Sequence, residues 1–436
     1  MLNIRRSVYL SLLSCAENGR YTNLEADSFI SRNELSPRDR TFYTALLYGT
    51  TEKQITLDHQ IKKLSSKELG KIDLKVLVLL RMGLYQILFM NGVPDRAAVS
   101  ETVTLASSVT NSGAAGFVNG ILRSAVRQLK SEDGNVTLIT PDKEKDICGY
   151  LSITYSFPRF LCKKWISAYG EENAERIMIA QNRRPVTTLR VNTLKTSSKA
   201  LLSKISDAGV KCALSESSAD GIVIEGSGVA SLPGFEDGCF FVQDDSSRLC
   251  VEALAPKEND TVIDCCSCPG GKSFASAIRM GNRGKIFSCD IHDNKLSLVR
   301  SGAERLGIGI IETVCQDASV FKPEFEALAD KVLCDVPCSG FGTISKKPDL
   351  RLKPKEVSDT LPPLQLAILS NCCRYVKSGG TLVYSTCTLN PDENENVVSA
   401  FLAEHGEFEL ISQRTFFPYE ALYDGFYYAK MQKKLS

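Results

Sequence analysis

A chain of 436 residues, 43% hydrophobic and 24% charged, is typical of a globular protein with two to four domains. Its 30 glycines and 16 prolines are too few for a collagen-like or low-complexity chain. The formal net charge of +1 favours no class of partner. The longest apolar run, residues 76–80, is far shorter than the roughly 18 to 20 residues of a spanning helix, so we expect no segment to cross a membrane.

The first 130 residues predict a bundle of amphipathic helices. Apolar side chains recur with a period near 3.6, as at Leu80, Leu84 and Ile87. This segment carries six more basic than acidic residues, an excess that could bind phosphates but is also typical of an ordinary solvated surface. A polar stretch at 132–135 follows, and we predict an all-helical domain over residues 1–135.

Residues 141–238 predict a small α+β domain that contacts RNA. Its predicted helices cover residues 158–169, 173–182 and 198–208, and its predicted strands cover residues 188–191 and 221–225. Helices and short strands mixed in this way are typical of an α+β module beside a larger domain.

Residues 239–436 predict a doubly wound, mostly parallel sheet. Short apolar runs alternate with amphipathic segments, which indicates strand–helix–strand units and a Rossmann-like fold. The predicted strands cover residues 261–265, 285–290, 310–315, 331–335 and 381–386.

The turn after the first of these strands has two competing interpretations. A phosphate-binding loop, G-x-x-x-x-G-K-[ST], fits Gly271, Lys272 and Ser273 but needs glycine where Cys266 stands. Alternatively, Gly270 and Gly271 form the glycine turn of a Rossmann-like methyltransferase, which lets the backbone approach a nucleoside cofactor. The second interpretation requires an acid at the end of the next strand, about 20 residues on, to accept the ribose hydroxyls.

Asp290 meets that requirement, and two further acids lie at the ends of later strands. Asp290 ends the second strand, 19 residues after Gly271. Asp317 follows the third strand, where it can bond an exocyclic amine, and Asp335 ends the fourth. Each acid alone is commonly a helix cap or a turn residue. Their placement at successive strand ends predicts a cofactor crevice, although a dehydrogenase would use a similar one.

Two cysteines, Cys338 and Cys387, follow the fourth and fifth strands at the same sheet edge. They could be ordinary buried thiols, but turns rich in proline and glycine favour exposure to the crevice. A zinc site is disfavoured, because the only histidines, His59, His292 and His405, lie far from both in sequence. Of the three roles considered for these thiols, nucleophilic catalysis remains. Carbon 5 of cytosine becomes reactive once a thiolate adds at carbon 6.

The sixteen cysteines lie largely in apolar runs, which favours reduced, buried thiols over a disulfide framework and predicts a cytoplasmic protein. Residues 12–15 faintly resemble a lipoprotein cleavage site. The helical spacing of Ile4, Val8 and Leu12 favours a first helix instead.

Taken in order, several motifs resemble those of RNA cytosine-5 methyltransferases. They are Pro269-Gly270-Gly271-Lys272, Asp335-Val336-Pro337-Cys338-Ser339-Gly340, Ser385-Thr386-Cys387 with residues 390–395, and residues 424–429. Residues 116–123 resemble the RNA-binding fold of the antitermination factor NusB. This fusion narrows the resemblance to the bacterial Sun/RsmB type, and the likeness covers essentially the whole chain.

The resemblance implies methylation of carbon 5 of a cytosine in 16S ribosomal RNA, cytosine 967, with S-adenosyl-L-methionine as cofactor. It makes Cys387 the nucleophile at carbon 6 and Cys338 the thiol that assists release. In this scheme Asp335 also holds N3 of the base. The implied cofactor contacts are Cys266, Ser267, Cys268, Pro269, Gly270, Gly271, Lys272, Asp290, Asp317 and Asp335. No metal, membrane or obligate protein partner is implied.

Three other functions are weighed against this one. A DNA cytosine-5 methyltransferase would use Cys338 for attack and leave Cys387 idle, but the NusB-like module and the Thr386-Cys387 dipeptide favour RNA. Another RNA could be the substrate. A ribosomal RNA-binding assembly factor without activity is disfavoured because both cysteines and all three acids are present.

Departures from the family pattern at Cys266 to Cys268, Phe341 and Thr388 affect the loop packing rather than the chemistry.

Overall fold

The computed structural model describes residues 3–131, 133–225 and 228–435, which divide into two compact units. Unit 1 comprises Met1–Asn182 and Lys346–Lys353, and unit 2 comprises Arg183–Ser345 and Pro354–Ser436. Among the helices of these described ranges, none combines the length and the apolar character that a membrane crossing needs.

Unit 1 is helical. Its α-helices are α1 (Ile4–Asn18), α2 (Thr22–Arg32), α3 (Pro37–Glu52), α4 (Gln54–Leu64), α5 (Leu74–Phe89), α6 (Asp95–Val109), α7 (Ser112–Leu129), α8 (Ile147–Tyr155), α9 (Arg159–Tyr169) and α10 (Glu171–Gln181). The turn sequences act as caps: the Ser36 side chain accepts the amide of Asp39, and the Asn111 side chain accepts that of Ala114. Helix α5 is buried on nearly all sides and forms the centre of the core.

A segment from far along the chain completes unit 1. Residues Lys346–Lys353 pack within it, and Arg351 is almost completely buried there. Its Nη1 donates to the backbone carbonyls of Glu52 and Ser156 and to Oδ1 of Asn182, at 3.0 to 3.1 Å. Because a buried guanidinium is tolerated only with such acceptors, this segment is an integral part of the helical unit.

Unit 2 contains a four-stranded antiparallel sheet. Its strands are β1 (Thr187–Val191), β2 (Cys212–Leu214), β3 (Gly221–Ile224) and β4 (Phe240–Val242), in the order β2-β3-β1-β4, with α11 (Ser198–Asp207) packed against them. The predicted division between residues 238 and 239 falls inside this sheet, because β4 pairs with β1 through Phe240 and Val191. The predicted helices between residues 158 and 182 lie in unit 1 instead.

The larger sheet of unit 2 confirms the predicted fold class. Its strands are β5 (Thr261–Asp264), β6 (Lys285–Asp290), β7 (Ile311–Cys315), β8 (Ala329–Asp335), β9 (Val376–Thr386), β10 (Phe408–Phe416) and β11 (Phe426–Lys433). The order is β10-β11-β9-β8-β5-β6-β7, and β9, β8, β5, β6 and β7 are parallel. The helices are α12 (Asp245–Leu254), α13 (Gly271–Arg279), α14 (Asp293–Leu306), α15 (Lys355–Asp359), α16 (Leu361–Cys372) and α17 (Glu395–Glu404).

The small sheet is joined to the large one through the end of α14. Asn192, fully buried after β1, donates from Nδ2 to the carbonyls of Gly238 and Leu306, both at 2.9 Å. Gly238 has φ +66°, and a Cβ there would overlap the carbonyl oxygen of Arg305. Glycine is therefore required at this close approach.

We expect Asn192→Ala to lower the free energy of unfolding by about 1 to 3 kcal/mol, because two buried carbonyls lose their donor. The measurement is urea unfolding of the full chain. Asn294→Ala, at an exposed position, is the matched control and should change stability by no more than about 0.5 kcal/mol. Equal effects of the two substitutions would contradict a structural role for the Asn192 amide.

Candidate active site

The carboxyl ends of the parallel strands place a row of acids along one edge of the large sheet. Asp264, Asp290 and Asp335 end β5, β6 and β8, and Asp317 follows β7 by two residues. Because the strands are parallel and neighbouring, these side chains occupy one edge. The strand order places Asp290, Asp317 and Asp335, the three acids singled out in the sequence, along this edge.

The loop between β5 and α13, together with the first turn of α13, contains the seven residues predicted from the sequence to contact the cofactor: Cys266, Ser267, Cys268, Pro269 and Gly270 in the loop, and Gly271 and Lys272 in the helix. The amide of Ser267 donates to the carbonyl of Cys289 at 2.8 Å and ties the loop to β6. Gly270 has φ +110°, and a Cβ there would lie 2.5 Å from the Phe274 ring. A side chain at this position is therefore excluded by both backbone and space.

Lys272 and Asp335 connect this loop to the strand before Cys338. Lys272 Nζ lies 2.6 Å from Oδ2 of Asp335, and the Ser385 hydroxyl donates to Oδ1 at 2.7 Å. Burial alone would lower the pKa of Lys272, but the charge of Asp335, the hydrogen bond to it and the neighbouring acidic groups together raise it. The Lys272 ammonium also lies 5.3 Å from the centre of the Phe426 ring. Lys272 is thus a fixed positive charge beside the crevice.

Asp264 is a buried carboxyl beneath the loop. Its Oδ2 accepts the Ser273 hydroxyl at 2.7 Å, and Ser273 in turn accepts the Ser288 hydroxyl at 2.6 Å. Burial raises the pKa of Asp264 from 3.8 to about 7, although the bond from Ser273 opposes the shift. Its Oδ1 and the Ser267 hydroxyl are buried without a hydrogen-bond partner among the described residues. Polar atoms in this state are available to a ligand.

Asp290 and Asp317 are held by their own turns. Oδ1 of Asp290 accepts the amide of His292 at 2.9 Å. Oδ1 of Asp317 accepts both the hydroxyl and the amide of Ser319, and these bonds lower the pKa of Asp317. These bonds orient both carboxylates before any ligand binds. Asp290 also accepts a bond from the Cys268 thiol, and burial and this bond raise the pKa of Cys268 to about 12.

The structure brings the two predicted reactive thiols together. Sγ of Cys338, in the loop after β8, lies 3.2 Å from Sγ of Cys387, which follows β9. The hydrogen bond to Cys387, together with burial, raises the pKa of Cys338 well above its usual value. Cys338 therefore holds a proton that it can share with the sulfur of Cys387.

A buried carboxylate, Glu393, links the loops that carry these thiols. Its two oxygens accept the amide of Ser339 at 2.8 Å, the Ser339 hydroxyl at 2.6 Å and the side-chain amides of Asn390 and Gln365 at 2.7 and 3.0 Å. Gln365 also donates to the carbonyl of Pro337. The residues on either side of Cys338 are thus fixed to the turn that follows Cys387.

Two glycines bring a third segment against the same loops. The amide of Gly342 donates to the carbonyl of Cys387 at 3.0 Å, and the amide of Gly425 donates to the carbonyl of Gly342 at 2.9 Å. A Cβ on Gly342 would overlap the carbonyl oxygen of Gly425. The motif at residues 424–429 therefore contributes backbone contact to the thiol loops.

Sequence reasoning missed Asp264, Ser385, Glu393 and Gln365. Asp264 is detectable because it ends the strand before the glycine turn, and Glu393 lies within the noted run at residues 390–395. Gln365 lies 28 residues from each of its partners, Pro337 and Glu393, and no local pattern marks it.

Three family models match consecutive parts of the chain. The NusB family matches residues 3–127, the ferredoxin-like domain of RsmF/B-like methyltransferases matches residues 157–230, and 16S rRNA methyltransferase RsmB/F matches residues 251–432. With the sheet and its carboxyl-edge site, these matches define a Rossmann-like methyltransferase preceded by a NusB-type helical domain.

Relatives cover nearly the whole chain. The probable ribosomal RNA small subunit methyltransferase B of Bacillus subtilis is 38% identical over 409 residues, 93% of this chain and 90% of its own. The Synechocystis protein of the same name is 34% identical over 455 residues, 99% of this chain and 100% of its own. The crystal structure of PH0851 is similar with a TM-score of 0.81 and 25% identity, covering 99% of each chain. The chain belongs to the ribosomal RNA small subunit methyltransferase B family.

We expect Asp264→Asn to flatten the pH dependence of stability. The folded protein keeps the Asp264 proton up to about pH 7, whereas the unfolded carboxyl loses it near 3.8. The folded state binds more protons in this window, so the free energy of unfolding of the natural protein falls as pH rises through it. Urea unfolding from about pH 4 to about pH 7 measures the difference between the two proteins. Asp293→Asn, at an exposed position, is the control, and a difference that stays constant with pH would contradict the assignment.

Proposed function

We propose that the protein transfers a methyl group from S-adenosyl-L-methionine to carbon 5 of a cytosine in 16S ribosomal RNA, by resemblance cytosine 967. The observation that carries this proposal is the 3.2 Å contact between Cys338 and Cys387 beside the Asp335–Lys272 pair. The names of the curated relatives support ribosomal RNA of the small subunit as the substrate class.

Cys387 is the nucleophile in this proposal. Its thiolate adds to carbon 6 of cytosine, a carbon–sulfur bond forms, and the electron pair of the 5,6 double bond becomes available at carbon 5. In this scheme Cys338 is the donor in the contact between the two sulfurs, and it stabilises the thiolate before attack. A thiol that is already hydrogen-bonded to a proton donor is suited to an attack that must later be reversed.

Cys338 assists release of the product. After methylation, the proton on carbon 5 leaves to solvent, the carbon 6–sulfur bond breaks, and Cys387 departs as a thiolate. A proton donor 3.2 Å away stabilises the sulfur as it departs. The raised pKa of Cys338 supports this role, since it keeps the proton available at neutral pH.

The edge residues fit a nucleoside cofactor that also carries an ammonium group. The end of β5 and the loop before α13 carry the partnerless oxygens of Asp264 and Ser267, which a ligand's polar groups can bond. Asp290 is placed to accept ribose hydroxyls and Asp317 an exocyclic amine. When bound, S-adenosyl-L-methionine supplies the methyl group, and these residues hold it beside the thiol pair.

We expect Asp290→Ala to weaken binding of S-adenosyl-L-methionine by about 1.5 to 3 kcal/mol, roughly 10- to 100-fold, because ribose hydroxyls lose a charged acceptor. Calorimetric titration measures the affinity, and RNA binding should be unchanged. Asp293→Ala, three residues away and exposed, is the matched control. Unchanged cofactor affinity in Asp290→Ala would remove this residue from the site.

We expect Cys387→Ala to abolish methylation and to form no covalent complex, because no sulfur is left to add at carbon 6. Cys338→Ala should permit attack and methyl transfer but slow release, so that a protein–RNA adduct accumulates. Denaturing electrophoresis with labelled 16S RNA under reducing conditions detects the adduct. It should form best on unpaired cytosines, since unstacking the base costs least there.

Cys315→Ala, which removes an exposed free thiol, is the control and should behave like the natural protein. An inert Cys338→Ala together with an active Cys387→Ala would reverse the roles and support the DNA-type mechanism. RNA that binds but stays unmodified by the natural protein and S-adenosyl-L-methionine would support an assembly factor instead.

A further inference from the structure

Three potential metal ligands meet at the opposite edge of the large sheet. Cys373 follows α16, and His405 and Glu407 lie between α17 and β10. Cys373 precedes the first residue of β9 by three positions, whereas Cys387 follows its last residue. Val376 and Ser385 pair with Ala329 and Asp335, which are six residues apart on β8. Since a strand rises about 3.3 Å per residue, roughly 20 Å separates this cluster from the thiol pair. The cluster therefore has no part in the proposed methyl transfer.

The spacing of the three ligand atoms matches a tetrahedral metal site. Sγ of Cys373 lies 3.7 Å from Nδ1 of His405, and Nδ1 lies 3.3 Å from Oε1 of Glu407. All three atoms lie within 4.8 Å of one another. A zinc ion with ordinary bond lengths holds sulfur and nitrogen ligands about 3.5 Å apart, and nitrogen and oxygen ligands about 3.3 Å apart. The atoms are already near these separations.

The charges of the ligands also match a divalent cation. One thiolate, one carboxylate and a neutral imidazole carry two negative charges in total. Among the described residues, three cations lie nearby. Lys433 donates to the carbonyl of Val376 at 3.0 Å, Lys434 donates to that of Gly406 at 2.6 Å, and Arg374 stacks 3.3 Å from the Phe321 ring. A mixture of sulfur, nitrogen and oxygen ligands favours zinc over magnesium or calcium, which prefer oxygen.

Exposure leaves a path for the ion and room for a fourth ligand. Cys373 is buried, but the side chains of His405 and Glu407 are 20% and 49% exposed. The Cys373 thiol contacts the carbonyl of Ser370 at 3.2 Å. A metal binds the thiolate and a neutral imidazole, so metal uptake releases the thiol proton to solvent and leaves the proton of His405 on Nε2.

We propose that Cys373, His405 and Glu407 bind one zinc-type divalent cation, with water as the fourth ligand. The ion joins the end of α16 to the connection between α17 and β10. It is a structural centre that stabilises the edge of the sheet opposite the active site. Cys373 and His405 are 32 residues apart, which is why spacing motifs did not reveal the site.

Titration of the metal-free full chain with Co²⁺ tests the proposal, because tetrahedral cobalt–thiolate sites absorb strongly in the visible and near-ultraviolet. We expect one equivalent to bind, with release of one proton, and Zn²⁺ to displace it and raise the thermal unfolding midpoint. His405→Ala and Glu407→Gln should weaken binding by more than the roughly 10- to 100-fold that loss of an outer hydrogen-bonding partner costs.

His292→Ala, which removes an exposed histidine, is the control and should bind Co²⁺ normally. Glu407→Gln changes a half-exposed side chain, so its fold should be intact by circular dichroism even if His405→Ala fails to fold.

The buried thiols of Cys265, Cys334 and Cys372 form a second cluster. Cobalt absorption that persists in Glu407→Gln and His405→Ala but disappears in Cys334→Ser would place the ion there and overturn the proposal, as would absence of binding to the natural protein.

Discussion

Glu393 has no exposed surface, and a carboxylate in that state is tolerated only when its oxygens are hydrogen-bonded. Its donors come from Ser339, Gln365 and Asn390, so the carboxylate can be satisfied only when the loops after β8 and β9 are both in place. The same condition sets the distance between Cys338 and Cys387. Thiols on two separate loops would otherwise be poorly positioned, since loops are the more mobile parts of a fold.

Asp335 connects this thiol region to the cofactor loop. One oxygen faces Lys272 on α13 and the other accepts from Ser385 on β9, so the helix that follows the cofactor loop and the strand before Cys387 share one carboxylate. This arrangement gives a physical reason for the acid, the lysine and the serine to occur together in the sequence motifs.

The parts of the fold and site that were predictable are those encoded locally. Apolar strand runs followed by acids or cysteines place Asp290, Asp335, Cys338 and Cys387 at one edge, because parallel strands end together. The partners of Glu393 were not predictable, since Ser339 lies 54 residues away and its contact depends on tertiary packing. The strand β4 is only three residues long, and its local pattern cannot indicate which sheet it joins. The sequence around Cys373 does not indicate the histidine, His405, that folding brings beside it.

The segment Lys346–Lys353 has a consequence for how the protein is made. Unit 1 begins at the first residue but needs Arg351, whose guanidinium occupies carbonyls of Glu52 and Ser156. The ribosome must therefore synthesise most of the chain before these contacts of Arg351 can form. Until then, those carbonyls lack the donor that they have in the finished protein. Completion of the amino-terminal unit is thus tied to synthesis of the loop that follows Cys338, and a nascent chain that stops before this loop leaves both units unfinished.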